Sequence, residues 1–182
     1  MLDRAGEWAW GYSRVDHYVG YVRADALTVP IVASHIVVVA EASSLPMGAR
    51  VASDAGFADG AVRPIGVYED DPVAVAKRLL GAPYLLGGRT LNGIDCSGLV
   101  QISLALCGTH APRDSDQQAA LGSSVPVGEP LRRGDLITFE GHVGLMIDDR
   151  NLIHATAHSG ATVIEPLADV DARNPVLDRR RF

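Results

Sequence analysis

Cysteine is scarce in this sequence: Cys96 and Cys107 are the only two in 182 residues. Both fall in one predicted helix, eleven positions apart, which at about 1.5 Å of rise per residue separates them by roughly 16 Å. A disulfide needs Cα atoms within about 7 Å. The two cannot bridge each other, no disulfide framework forms within the chain, and a reducing compartment fits. Long apolar runs are absent as well. No segment approaches the roughly 20 apolar residues that span a bilayer, and Met1–Trp8 has no apolar core of the kind a secretory signal carries. The expectation is a chain without a membrane span and a cytoplasmic location, with a secreted or periplasmic one left open. Clustered positive charge is the third absence. The formal net charge is −6 and no Lys/Arg-rich face is visible, which argues against nucleic acid as a partner, since phosphates need basic patches. The one basic run, Arg179-Arg180-Arg181, reads as a solvated tail.

What is present suits an ordinary globular protein: 47% apolar and 21% charged residues, long enough for one domain with a small companion. Glu7–Tyr12 and Tyr18–Val22 are aromatic or β-branched runs that end in turn residues, the pattern of short antiparallel strands. Ile36–Ala40, Met47–Val51 and Gly60–Pro64 follow in the same style. The stretch Tyr18–Leu27 is weakly echoed by Phe57–Ile65, which points to two small barrel-like β modules, the first without its opening strands. Asp70-Asp71-Pro72 marks a boundary. An Asp before Pro, followed by Val73, Val75, Ala76, Leu79 and Leu80, predicts a capped helix that Gly81-Ala82-Pro83 ends. A glycine-rich loop, 84–95, leads to a second helix starting near Cys96. Its two apolar stripes, Leu99/Ile102/Leu106 and Val100/Leu104/Cys107, predict burial on most sides, and Gly108 is a plausible stop. Four short strands then follow, at 136–139, 142–147, 151–155 and 162–165. Helices first and an antiparallel sheet after make an α+β fold.

The chemistry centres on Cys96. At a helix start, unpaired N–H groups and the helix dipole favour negative charge, which lowers a thiol pKa. Small residues, Ser97 and Gly98, leave room for a substrate. The bland alternative is a buried structural cysteine, which is the role expected for Cys107. A thiol nucleophile needs a base, and the base an orienting group. His142 and His154 lie on consecutive strands. A two-residue turn at Asp149-Arg150 would point them to opposite faces. A loop of three or five residues would put them on one face, offset by two positions, a diagonal spacing of roughly 7–8 Å between the two backbones. His17, His35 and His110 lack such a context, and His158 could line the site. One Cys and two His without close spacing are a weak pattern for zinc, so no metal or cofactor is expected.

The segments Pro83–Gly88, Asp95–Gln101, Pro112–Ser115, Arg133–Ile137, Gly141–Leu145 and Leu152–Ala155, in this order and spacing, resemble the NlpC-type cell-wall cysteine peptidases over about residues 72–170. The resemblance implies a reduced papain-like domain at 70–182, its cysteine-bearing helix packed on an antiparallel sheet. Bacterial SH3-like modules would precede it, a partial one at 1–29 and a second with a linker at 30–69. It further implies Cys96 as nucleophile, His142 as base and His154 as third member. Tyr84 would lie near the oxyanion, and Asp95 and Ser97 would bind the substrate's amino groups. Arg113 and Ser115 match a family segment without a clear role. Glu7, Tyr18 and Tyr21 are the candidates by which the SH3-like region would close the cleft. The substrate implied is the bond between D-γ-glutamate and a diamino acid, typically diaminopimelate, in peptidoglycan stem peptides with a free N-terminal L-alanine. Two other readings stand beside this one: a non-catalytic module that binds wall peptides, and an amidase or acyltransferase on the same fold.

Overall fold

Short alternating segments separated by Gly, Asp and Pro make the first third of the chain all β. In the computed structural model, which describes residues 1–182, β1 (Asp3–Ala5), β2 (Trp8–Tyr12) and β3 (Val19–Arg23) form an antiparallel meander. A second three-stranded sheet follows, with β7 (Arg50–Val51) and β8 (Val62–Pro64) flanking β4 (His35–Val37), and the hairpin β5 (Glu41–Ala42)–β6 (Leu45–Pro46) stands apart as a two-stranded sheet between β4 and β7 in the chain. Neither sheet has much interior of its own. Ala9 is the one fully buried residue of the first meander, and Val37, Ala42 and Ala61 make up the small cluster of the second. Both lean on the C-terminal part. Val38 and Met47 join the main core. Gly48 passes so close that a Cβ there would lie 3.1 Å from Ile102.

α1 (Pro72–Lys77) starts where the Asp-Pro pair predicts: the Asp71 side chain accepts from the Val73 amide at 2.9 Å, and Pro72 occupies a position that needs no N–H. The two-residue strands β9 (Arg89–Thr90) and β10 (Gly93–Ile94) fold the glycine-rich loop back on itself. α2 (Cys96–Leu106) has ten of its eleven residues buried, the consequence of two apolar stripes on one short helix. Next come α3 (Ser115–Gln118), β11 (Ser123–Ser124), β12 (Leu136–Phe139), β13 (His142–Met146), β14 (Asn151–Thr156), β15 (Ala161–Pro166), α4 (Leu167–Arg173) and β16 (Val176–Arg181). Six of these strands form one antiparallel sheet in the order β11-β16-β12-β13-β14-β15. Alternation along the strands divides its faces. Leu136, Val143, Leu145, Ile153 and Ala155 pack with α1 and α2; Ile137, Phe139, Met146 and Leu152 pack with Val170 of α4. The fold is the expected α+β, papain-like arrangement.

The reading of Arg179–Arg181 as a solvated tail is overturned. These residues lie in β16, paired with β12. Arg181 makes a two-pronged ion pair with buried Asp135 at 2.8 and 2.8 Å and a further bond to Glu129. Arg180 donates to the Leu121 and Gly122 carbonyls. A basic run signals solvent only while its acceptors are unknown, and here all those of Arg181 and most of those of Arg180 lie 46 or more residues away. α3, α4 and β16 also lie outside the segments that periodicity identified. The first two have four and seven residues, too short to show a helical stripe. No helix is long and apolar enough to cross a membrane.

Candidate active site

The loop before α2 is held by one carboxylate. Asp95 caps the helix through Oδ1, which accepts from the Gly98 amide at 2.7 Å. Oδ2 accepts from the Gly87 amide, also at 2.7 Å. Arg113 grips both oxygens, at 2.9 and 2.7 Å, and donates to Ser97 Oγ at 2.8 Å. Burial alone would raise the Asp95 carboxyl, but Arg113 and the two amides outweigh it and hold the group below the usual carboxylate range. The glycines fit this crowding. A Cβ on Gly88 would sit 2.4 Å from the Gly93 carbonyl oxygen, and one on Gly98 2.6 Å from that of Gly88. Asp95 and Ser97 therefore line the cleft with their polar atoms already in use. They position the loop first, and an amine would meet them only as members of this network.

Cys96 opens α2 and is buried. The expectation of a thiol pKa lowered by the helix start is not met. Burial pushes it up and the Asp95 charge adds to that, while the Val143, Ser97 and Cys96 amides only partly oppose them. Cys107 is the residue after α2, half-buried, its thiol pushed by burial to about 11. Tyr84 shares the cleft with Cys96. Burial and the neighbouring Cys96 and Asp95 raise its phenol, which keeps it a donor.

The condition on the hairpin is satisfied. Leu145 pairs with Ile153 and Met146 with Leu152, and the Ile147 amide donates to Asn151 O at 2.8 Å, so the loop is Asp148–Arg150, three residues. Asp148 makes it. Its Oδ1 accepts from the Arg150 and Asn151 amides at 2.8 and 2.7 Å, a side chain standing in for a backbone acceptor. His142 and His154 share a face, offset by two. Gly144, directly opposite His154, leaves that ring its space, since a Cβ there would come within 3.0 Å of the His154 Cβ. The two imidazoles meet at 2.8 Å, His142 Nε2 to His154 Nδ1. Their face is the one turned away from α2. They lie at the end of the sheet nearest the helix start, where the Val143 amide reaches the Cys96 sulfur.

Two further members escaped the sequence reading. His154 Nε2 lies 2.8 Å from Glu165 Oε2, and Arg173 holds both Glu165 oxygens at 3.0 Å. Glu165 sits two residues beyond Val163, the direct partner of His154, and so on the same face of the sheet. An acidic residue at that place in the fourth strand was the available signal. The network assigns the tautomers. Ionised Glu165 takes His154 Nε2–H, so His154 Nδ1 accepts from His142 Nε2–H, which leaves His142 Nδ1 a free lone pair. Burial, with the His154 charge second, lowers His142 to about 4, against an upward pull from Glu165. Both the thiol and the imidazole are therefore neutral at rest. Slow alkylation of Cys96 at neutral pH is the ordinary behaviour of such a thiol, and it does not separate an enzyme from an inert binding module. Glu165→Gln should lower kcat/KM about 10- to 100-fold. It should also move the acid limb of the pH profile to lower pH, because the pull that raises His142 is gone. An unmoved limb would reduce Glu165 to a packing role.

Tyr18 lines the Cys96 cleft with Arg113 and Ser115. Its loop is anchored by Asp16, which contacts Arg89 at 3.4 Å and Gln101 at 3.3 Å, and by Val15 O with His110 Nε2 at 2.9 Å. Glu7 is not brought to the cleft. It sits at the β1–β2 turn, largely exposed, 3.5 Å from Arg23. Tyr21 packs at a tilt against Trp10, with ring centroids 4.9 Å apart, and lines an adjoining groove instead. Both lie on the wrong part of the meander: only the residue that ends the docked loop reaches across. His158 lines a pocket beside the histidine pair. No group of three or more His, Cys, Asp or Glu side chains is placed to hold a metal ion.

Comparison with known proteins matches residues 81–177 to the NlpC/P60 family and residues 1–27 to the bacterial dipeptidyl-peptidase Sh3 domain. A probable endopeptidase of Mycobacterium tuberculosis is 33% identical over 126 residues, 66% of this chain and 32% of that protein. A gamma-D-glutamyl-L-lysine dipeptidyl-peptidase of Bacillus cereus is 37% identical over 106 residues, 54% of this chain and 32% of that one. The chain thus spans about a third of the length of these relatives. The crystal structure of an NlpC/P60 family protein from Bacillus cereus superposes on all of this chain and 78% of that one, with a TM-score of 0.84 at 23% identity, which shows the fold.

Proposed function

The chain belongs to the NlpC/P60 family, and on that premise we propose that it is a cysteine endopeptidase that hydrolyses the bond between D-γ-glutamate and a diamino acid, diaminopimelate foremost, in peptidoglycan stem peptides with a free N-terminal L-alanine. The observation that carries the reading is the oriented chain His142–His154–Glu165, with the amide of Val143, the residue after His142, at the sulfur of the helix-start Cys96. The name of the Bacillus cereus relative, which specifies a γ-D-glutamyl bond to lysine, supports the bond type. In the proposed reaction His142 Nδ1 takes the Cys96 proton as sulfur attacks the γ-carbonyl. The Tyr84 hydroxyl donates to the oxyanion. His142 returns the proton to the leaving amine and a thioester remains. Water then adds with His142 again as base, freeing the acyl half and Cys96. Glu165, ionised and pinned by Arg173, stabilises the imidazolium that forms transiently on the pair.

The test is to incubate the protein with L-Ala-γ-D-Glu-diaminopimelate, with and without an N-terminal acetyl group, and to identify products by mass spectrometry. L-Ala-D-Glu and free diaminopimelate are expected, with the acetylated peptide at least ~10-fold slower. Equal rates would remove the free-amine requirement. Cleavage elsewhere in the peptide, or none, would remove the bond assignment.

A further inference from the structure

The cleft continues past the catalytic histidines. On the side away from Asp95 and Arg113 it opens into a pocket of about 310 Å³ lined by Thr156, His158, Arg173 and Asn174, which shares Tyr84 and Gly141 with the Cys96 cleft. His142 and His154 line this pocket, and Cys96 lines the other. The division gives the substrate a direction. The base that accepts the thiol proton hands it to the departing amine, so the departing half lies on the imidazole side of the sulfur.

The chemistry of this pocket is one-sided. Its polar side chains are donors or neutral, and no acidic side chain lines it. Arg173 binds Glu165 through a single terminal amino group, at 3.0 Å to each oxygen. Its other terminal amino group and Nε make no hydrogen bond within the chain, and its side chain is 35% exposed. A guanidinium presents five donors in a planar fork, so an Arg already used on one side still offers a second edge to a carboxylate. Asn174 turns its amide to the Glu140 carbonyl at 3.2 Å, and His158 stands at the mouth, exposed.

We propose that this pocket receives the amino acid released by the reaction, and that Arg173, assisted by His158, recognises a carboxylate on it. The inference rests on the peptidase reading above and adds to it the residues that select the leaving half. The carboxylate has two possible origins, the α-carboxyl of the leaving residue or a second carboxyl on its side chain, and one set of substrates separates them.

The full chain is assayed with L-Ala-γ-D-Glu-diaminopimelate, L-Ala-γ-D-Glu-lysine and L-Ala-γ-D-Glu-lysinamide, which share one acyl half. The carboxylate-bearing peptides are expected to exceed the lysinamide peptide in kcat/KM by roughly 5- to 10-fold, the scale of one partly exposed charged contact. An advantage common to diaminopimelate and lysine assigns the α-carboxyl, and one confined to diaminopimelate assigns the side-chain carboxyl. Because Arg173 also pins Glu165, Arg173→Gln slows every substrate, so the readout is the ratio between substrates and not the rate. That ratio should collapse toward one in Arg173→Gln and fall in Arg173→Lys, which keeps the charge on Glu165 but has no second edge to offer, and it should also fall in His158→Asn, with thermal melts confirming folded variants. Equal kcat/KM for the three peptides in the unsubstituted chain, or a ratio unchanged in both Arg173→Gln and His158→Asn, would overturn the proposal and leave the peptidase reading standing. No cleavage of any of the three would overturn both.

Discussion

Replacing Cys96 with alanine should abolish cleavage of the stem peptide, by about 10⁴-fold or more, and leave the molecule folded. The size of the loss follows from the lack of a substitute. Ser97, the nearest hydroxyl in sequence, accepts from Arg113 at 2.8 Å and points its own bond at Asp95, so no base is free to activate it. Without a thiol the His142–His154–Glu165 chain has nothing to deprotonate but water, and removal of a nucleophile of this kind leaves only the residue of binding and oxyanion stabilisation. The stability cost is small because Cys96 contributes one sulfur to the main core and loses only weak amide contacts to that sulfur. The cap is Asp95, which the substitution leaves in place. A cost of about 1 kcal/mol is expected for such a truncation. Product analysis beside a urea melt checks both halves. Residual activity above a few per cent would mean that another group is the nucleophile, and a collapsed melt would mean that the activity loss says nothing about chemistry.

The largest effect on stability belongs to Asp95→Asn. Asp95 and Arg113 are both buried, with side chains 5% and 9% exposed, and share two hydrogen bonds. Removing one charge of a buried pair leaves the other unpaired, at about 3–5 kcal/mol. Asparagine also cannot accept on both oxygens, so the contact with Gly98 or with Gly87 is weakened at once. Urea unfolding is the measurement. A change within about 0.5 kcal/mol would show that the pair is marginal. The double variant Asp95→Asn with Arg113→Met should be more stable than Asp95→Asn alone, because no orphan charge remains. The linkage has a definite sign. The folded pKa of Asp95 is depressed, so its contribution is complete above the unfolded value of about 3.9 and disappears as pH falls through the folded one. The acid-induced loss of stability should therefore be shallower in Asp95→Asn. The same geometry recasts a role: a carboxylate that already accepts from two amides and a guanidinium is a strut of the substrate site before it is a ligand.

Sequence-local physics accounts for much of this molecule. The start of α1 follows from Asp71-Pro72 and that of α2 from an Asp, small residues and an apolar helix behind them. The four strands at 136–165 follow from short apolar runs joined by turns, and strand parity reduces the two-histidine arrangement to one question, the length of a loop. Family resemblance then attached roles to Cys96, His142, His154 and Tyr84, and the structure places all four around the Cys96 and histidine pockets.

What sequence could not supply is the identity of partners far along the chain. On sequence alone a three-residue loop at 148–150 is one option among several, and Asp148, accepting from the Arg150 and Asn151 amides, selects it. Glu165 and Arg173 become part of the site only because β15 runs beside β14 and α4 folds back over it. Arg113 finds Asp95 across 18 residues, and Arg181 finds Asp135 across 46. Asp16 finds Arg89 across 73 and thereby carries Tyr18 to the cleft while Glu7 and Tyr21 stay outside it. Periodicity and capping are settled within a few residues, because apolar burial and backbone hydrogen bonding repeat with the element. A polar side chain is satisfied by whichever group the packed fold brings within about 3 Å, and that is decided only when the helix, the sheet and the N-terminal meander are in place together.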